Sequence, residues 1–264
     1  EIDYDELRET ALRERPKVIL AGFSAYPREL DWKRIADIAH EVDALAVADV
    51  AHIAGLIAGG AAENPFTHGF DVMTTTTHKT LRGPRGGMIL VRESEEIAKK
   101  IDKAVFPGLQ GGPHMHQIAA KAIAFREALQ PSFKDYAHQV VRNADAMAQV
   151  FTEGGVRLIT GGTSNHLILA DVWGSLQISG HDAETLLDRV GITLNKNTIA
   201  DDTRKPLDPS GIRFGTPAMT TRGLNEEDSR EVARIMLEVL QKRDHETIAS
   251  ASERVKALAG KYPV

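Results

Sequence analysis

A histidine and a lysine stand side by side where a run of threonines meets a glycine- and proline-rich turn: Thr74-Thr75-Thr76-Thr77-His78-Lys79-Thr80, then Leu81-Arg82-Gly83-Pro84-Arg85-Gly86-Gly87. β-Branched threonines favour an extended strand, and the Gly/Pro segment forces a bend. The amine of Lys79 is therefore held at the rim of a sheet. A rim lysine is most often an exposed charge and nothing more. Its chemical alternative is an amine that forms a Schiff base with a carbonyl cofactor or substrate. Thirty positions earlier, the apolar run Ala44-Leu-Ala-Val-Ala ends on the carboxylate of Asp49, with His52 close behind. A strand-end carboxylate is commonly a turn or helix cap. Beside a rim lysine one strand away, it matches the two needs of pyridoxal phosphate: an amine to hold the aldehyde and an anion to keep the ring nitrogen protonated.

These groups need a scaffold, and the hydrophobic pattern supplies one. Lys17 to Ser24, Ala44 to Asp49, Val72 to Thr77 and Gly87 to Arg92 read as apolar strands. Helical spacing of Ile35, Ile38, Ala39 and Val42 after a capping Asp31 places a helix between the first two. Strand–helix–strand order with unalternating apolar strands indicates a mainly parallel α/β sheet covered on both faces. Ligands bind beyond the carboxyl ends of such strands, where Ser24, Asp49 and Lys79 all fall. Ser94 to Lys103 reads as a surface helix, 106–113 as a glycine-rich loop and His116 to Leu129 as a long helix. Pro131 marks a domain boundary, giving domains at 1–130 and 131–264. The second is smaller and α+β, with strands expected at 155–160, 166–171, 191–194 and 212–215. Helices are expected there at 136–151, 182–190, from a capping Asn225 with Asp228 at the box position, and at 246–258.

The bulk numbers exclude several functions. The formal charge of −5, spread along the chain, argues against a nucleic-acid surface. With no cysteine, there is no disulfide, zinc-thiolate site or cysteine nucleophile, and no metal site is expected. No apolar run is long enough to span a bilayer, and the acidic start is no signal peptide. The composition fits the cytoplasm.

Five blocks, in order, resemble the serine hydroxymethyltransferases. They are Gly22-Phe-Ser-Ala-Tyr26, Ala48-Asp-Val-Ala-His-Ile-Ala-Gly-Leu56, Thr74 to Thr80, Phe106-Pro-Gly-Leu-Gln-Gly-Gly-Pro113 and Ser210-Gly-Ile-Arg-Phe-Gly-Thr-Pro217. The resemblance implies the aminotransferase-like fold (fold type I) of pyridoxal-phosphate enzymes, with 1–130 the C-terminal part of the large domain. It implies that Lys79 is the Schiff-base lysine and Asp49 the partner of the ring nitrogen. His52 and Ser24 resemble residues near the cofactor ring and its hydroxyl, and Thr76 and His78 the active-site residues before the lysine. Gly111 and Gly112 resemble a loop that offers backbone N–H groups to the cofactor phosphate of another subunit, where glycine would permit close approach and unusual dihedrals. Arg213 resembles the group that binds the substrate carboxylate, a task its two-pronged guanidinium suits. Asn197 and Lys205-Pro206-Leu207 resemble the folate-contacting segment, while Asp201-Asp202-Thr203-Arg204 carries little family character.

The implied reaction interconverts serine plus tetrahydrofolate with glycine plus 5,10-methylenetetrahydrofolate, in a homo-oligomer, expected to be a dimer, with shared active sites. A folate-independent, threonine-aldolase-like lyase would share Asp49, Lys79 and the arginine. The family also carries an N-terminal portion with a ring-stacking histidine, part of the phosphate cup, a proton-transfer glutamate and much of the folate site. None of these is found in the 264 residues, so the chain is expected to need further protein for catalysis.

Overall fold

The computed structural model describes residues 1–263. They form two compact units, Glu1–Ser24 with Leu30–Ala137, and Ala25–Glu29 with 138–263.

The first unit is built on a four-stranded sheet in the order β1 (Val18–Ala21), β2 (Leu45–Asp49), β3 (Val72–Thr76), β4 (Gly87–Val91). β1, β2 and β3 are parallel, with Val18 opposite Leu45 and Asp49 opposite Thr74. β4 runs antiparallel to β3, so these two form a hairpin closed at Thr76 and Gly87. α1 (Tyr4–Glu14) is capped by the Asp3 carboxylate. In α2 (Trp32–Glu41), Asp31 accepts the Arg34 amide as the N-cap, and the buried face Trp32, Ile35, Ala36, Ile38 and Ala39 packs toward the sheet. Trp32 meets Phe70 edge-on, with ring centroids 5.4 Å apart. The expected cover on both faces of the sheet is only partial. β1 is an edge strand, and its Val18 and Leu20 are 48% and 65% exposed.

Short α3 (Ala54–Ala58) follows β2, a helix too brief for periodicity to reveal. After β4 come α4 (Glu95–Lys103), capped by Ser94, and α5 (Met115–Ala128). The segment expected as a loop from Phe106 leaves helical geometry at Phe106 (φ −133, ψ 126) and is held as a wide turn by the Gln110 amide on the Val105 carbonyl at 2.7 Å. α6 (Pro131–Glu153) opens on its proline, at the helix start where a missing N–H costs nothing, and the division between the units falls inside it.

The second unit carries an antiparallel sheet in the order β5 (Arg157–Leu158), β6 (Leu167–Asp171), β8 (Gly211–Gly215), β7 (Asn195–Asn197). Its core joins α6, β6 and β8 to α8 (Gly180–Arg189), α10 (Glu226–Lys242) and α11 (His245–Lys261) through Phe151, Ile168, Leu187, Ile212, Ile235, Met236 and Leu240. Short α7 (Val172–Leu176) and α9 (Pro217–Arg222) follow β6 and β8. The capping box of Asn225 and Asp228 is formed as its sequence requires.

The strand expected at 191–194 is absent. Gly191, at φ +84, ends α8, and Ile192 donates back to the Leu187 carbonyl at 3.0 Å. The apolar run is thus spent on a helix terminus, and the polar Asn195–Asn197 pairs with β8 instead. The 155–160 strand is cut to two residues because the chain turns at Thr160, φ +63.

Candidate active site

Parallel pairing brings the carboxyl ends of β2 and β3 together, and most of the expected residues of the first unit gather there. Asp49 is the last residue of β2, exposed, with one carboxylate oxygen accepting the Ala51 amide at 3.0 Å. No cation pairs with it among the described residues. Gly22 follows the end of β1 at φ +149. A Cβ there would lie 2.1 Å from the Asp49 carbonyl oxygen, so only glycine lets β1 end against β2 at this point. Ser24 follows, exposed.

Lys79 lies in the hairpin loop between β3 and β4. Thr77, fully buried, shapes that loop. Its amide donates to the Gly86 carbonyl (3.0 Å), its hydroxyl to the Pro84 carbonyl (2.6 Å), and its own carbonyl accepts from Gly83 (2.7 Å). The Arg82 amide donates to the Lys79 carbonyl at 3.0 Å, and the Arg82 guanidinium stacks over Tyr136 at 4.1 Å. The Lys79 side chain is exposed and makes no hydrogen bond or ion pair among the described residues.

Thr80 joins this loop to the segment after Asp49. Its hydroxyl donates to the His52 carbonyl (3.0 Å) and accepts the Gly55 amide (2.9 Å). Contact is so close that a Cβ on Gly55 would stand 2.1 Å from the Thr80 carbonyl oxygen. The carboxylate segment and the lysine loop are therefore one hydrogen-bonded piece. Sequence reading missed Thr80 and Gly55 in this role. Their signal was position alone, one directly after the lysine and one inside the Asp49 block.

Two polar atoms beside Lys79 stand out. The Thr76 hydroxyl and His78 Nδ1 are both shut off from solvent and have no hydrogen-bond partner among the described residues. Buried polar groups are nearly always satisfied, so two left open in the residues just before Lys79 in the chain suit a polar ligand. An amine, a nearby carboxylate and unfilled hydrogen-bonding groups are the donor set that a phosphorylated pyridine aldehyde requires.

Gly111 and Gly112 are not drawn to this cluster. Both are exposed, and a Cβ on either would meet nothing within 4 Å. Neither has a positive φ, so the unusual dihedrals expected of them are not used; what glycine leaves there is open space above the backbone.

In the second unit, Arg213 on β8 sits opposite Asn195 and donates from Nη2 to its Oδ1 at 3.3 Å. Half-burial lowers the guanidinium from its ordinary value but leaves it charged. Asn197 pairs with Gly211, two residues before Arg213. Lys205, Pro206 and Leu207 are exposed in the loop between β7 and β8. Asn195 was not foreseen, because it lies just beyond the apolar run that read as a strand.

Parallel strands ending on a carboxylate, closed by an antiparallel hairpin that bears the lysine, define an α/β protein of the pyridoxal-phosphate fold type I class. Within that class the chain belongs to the serine hydroxymethyltransferase family, whose model it matches over residues 1–236. The family's chemistry is pyridoxal-phosphate-dependent transfer of the hydroxymethyl group of serine, a reaction of one-carbon metabolism with folate as co-substrate. Among the described residues no helix is long and apolar enough to cross a membrane, and no His, Asp and Glu cluster suits a metal ion.

Proposed function

We propose that this chain interconverts serine plus tetrahydrofolate with glycine plus 5,10-methylenetetrahydrofolate, using Lys79 as its Schiff-base residue. The observation that carries the reading is the free Lys79 amine, preceded in the chain by the unsatisfied Thr76 hydroxyl and His78 Nδ1 and tied through Thr80 to the Asp49 segment. Residues 1–130 then form the C-terminal part of the large domain and 131–264 the small domain.

Lys79 and Asp49 would hold pyridoxal phosphate, the first through its amine and the second at the ring nitrogen. His52 and Ser24 would lie by the ring and its hydroxyl, and the Gly111 and Gly112 amides would serve the phosphate of a second copy. When bound, the cofactor supplies an electron sink for breaking the Cα–Cβ bond of serine. Asp49 keeps a proton on the ring nitrogen, because an anion beside a pyridinium favours its charged form. Arg213 binds the carboxylate of serine or glycine through two parallel bonds. Thr76 and His78 orient the reacting groups around Lys79. Asn197, Lys205, Pro206 and Leu207 contact tetrahydrofolate, which accepts the one-carbon unit.

A homodimer with shared sites fits the run of exposed apolar side chains from Phe106 through Leu109, Met115, Ile118 and Ile123 to Leu129, since contiguous exposed apolar surface marks an interface.

The test is glycine formation from serine by the cofactor-loaded protein, with and without tetrahydrofolate, followed by borohydride reduction and peptide mapping. With the further protein that catalysis is expected to need supplied alongside it, folate-dependent turnover and a pyridoxyl adduct on the Lys79 peptide are expected. Cleavage of β-hydroxy amino acids indifferent to tetrahydrofolate would point to the aldolase-like lyase, and an adduct on another lysine would remove the assignment of Lys79.

A further inference from the structure

Asp202 carries no role in the reading above, yet it is the most heavily bonded carboxylate in the loop between β7 and β8. Oδ1 accepts the Ser210 hydroxyl at 2.7 Å and the Arg204 amide at 2.9 Å. Oδ2 accepts the Ser210 amide at 3.0 Å and the Ile199 amide at 3.3 Å. The Asp202 amide returns a bond to the Ile199 carbonyl at 3.2 Å. One carboxylate thus grips the loop two residues after Asn197 and three residues before Arg213.

This grip matters because β7 is only three residues long. A one-residue slip of a strand turns every side chain to the other face, and so short a ladder resists slipping weakly. Register is further marked by Gly211, where a Cβ would lie 2.6 Å from Ile199 Cγ2 and 2.9 Å from the Asn197 carbonyl oxygen. In the observed register Asn195 faces Arg213 and accepts its bond. On the far side of the clamp, the Ser210 carbonyl accepts the Val172 and Trp173 amides at 3.1 and 3.0 Å, and Arg204 stacks on Trp173 at 4.0 Å while pairing with Asp208. The clamp is thereby anchored to α7 as well as to the hairpin.

We propose that Asp202 is a positioning residue for the amino-acid carboxylate site, holding β7 in register against β8 and so fixing the aim of Arg213. The proposal rests on the reading of Arg213 as the carboxylate binder. Its chemistry demands a carboxylate. Four donors converge on two oxygens, and an ionised carboxylate can accept them all. An amide at this position would turn an NH2 toward two of those donors.

The test uses the cofactor-loaded protein and measures serine and glycine dissociation constants by calorimetry for D202N, S210A, R213K and the D202N/R213K double variant. Cofactor attached to Lys79 is followed by absorbance. D202N should weaken amino-acid binding about tenfold with cofactor content unchanged, S210A should act in the same direction by less, and the double variant should be no weaker than R213K alone. Such non-additivity is what action through Arg213 requires. If D202N does not fold, S210A decides: unchanged serine affinity there overturns the proposal. It is equally overturned if R213K weakens binding while D202N leaves it intact, or if the two losses add in full. Unchanged affinity in R213K would instead refute the reading of Arg213, and the proposal with it.

Discussion

Asp49 is exposed at the end of its strand and has only a backbone amide for company, so its charge is available to a ligand rather than consumed by a structural ion pair. Replacing it with asparagine changes little in volume and removes the anion. Asp49→Asn should bind pyridoxal phosphate but turn serine over at least ~10²-fold more slowly, the scale on which loss of a group aimed at developing charge is felt. Steady-state glycine formation checks this, and near-normal turnover would exclude the electron-sink role. Thr76 and His78 invite a different measurement. Their buried polar atoms lack partners, so Thr76→Val should leave the apoprotein no less stable while weakening cofactor affinity. Thermal unfolding of the apoprotein and cofactor titration, side by side, separate the two effects.

At the scale of elements, the close contact between α3 and the lysine loop is the sensitive joint. Gly55→Ala would place a methyl 2.1 Å from a backbone oxygen, and neither partner is a flexible side-chain end. Overpacking of this kind costs about 1–3 kcal/mol, so a fall in melting temperature of several degrees is expected, together with weaker cofactor binding because Thr80 must move. The Asp202 clamp adds a pH dependence. Burial opposes its charge, but the Ser210, Arg204 and Ile199 hydrogen bonds outweigh burial and lower the carboxyl from 3.8 to about 2. A depressed carboxyl stabilises the fold above its unfolded value and loses that contribution as pH falls through the folded one. The stability gap between wild type and Asp202→Asn should therefore be full above about pH 4 and shrink towards pH 2, as acid titrations of both proteins would show. Some of these joints were legible and some were not. Lys79 and Asp49 announce themselves because strand-forming runs end on them. Arg213 is legible only through its Ser-Gly-Ile-Arg setting. Thr80, Asn195 and Asp202 act through hydrogen bonds to particular partners, which no periodicity records. The Gly191 to Leu194 run misled because a β-branched apolar stretch serves a helix terminus as readily as a strand.

For the molecule as a whole, the alternation of strands and helices sufficed to read a mainly parallel sheet in the first unit, and the reversal of β4 was hidden because hairpin and crossover differ only in the residues between strands. The same strand order has a kinetic consequence. Val18 pairs with Leu45 across 27 positions and Val47 with Val72 across 25, whereas Thr76 meets Gly87 across only 11. Closing a short loop loses less chain entropy and occurs sooner than a long crossover. During refolding, the lysine-bearing hairpin should acquire protected amides before the strand that carries Asp49 has docked beside it. Pulsed hydrogen exchange read at Thr77 and at Val50, whose amides bond within the hairpin and across β2–β3 respectively, would resolve the order. Protection at Val50 first would mean that the parallel strands nucleate the unit. In the expected order, the loop that carries Lys79 is shaped by its nearest neighbours in sequence, and the Asp49 carboxylate arrives later from afar.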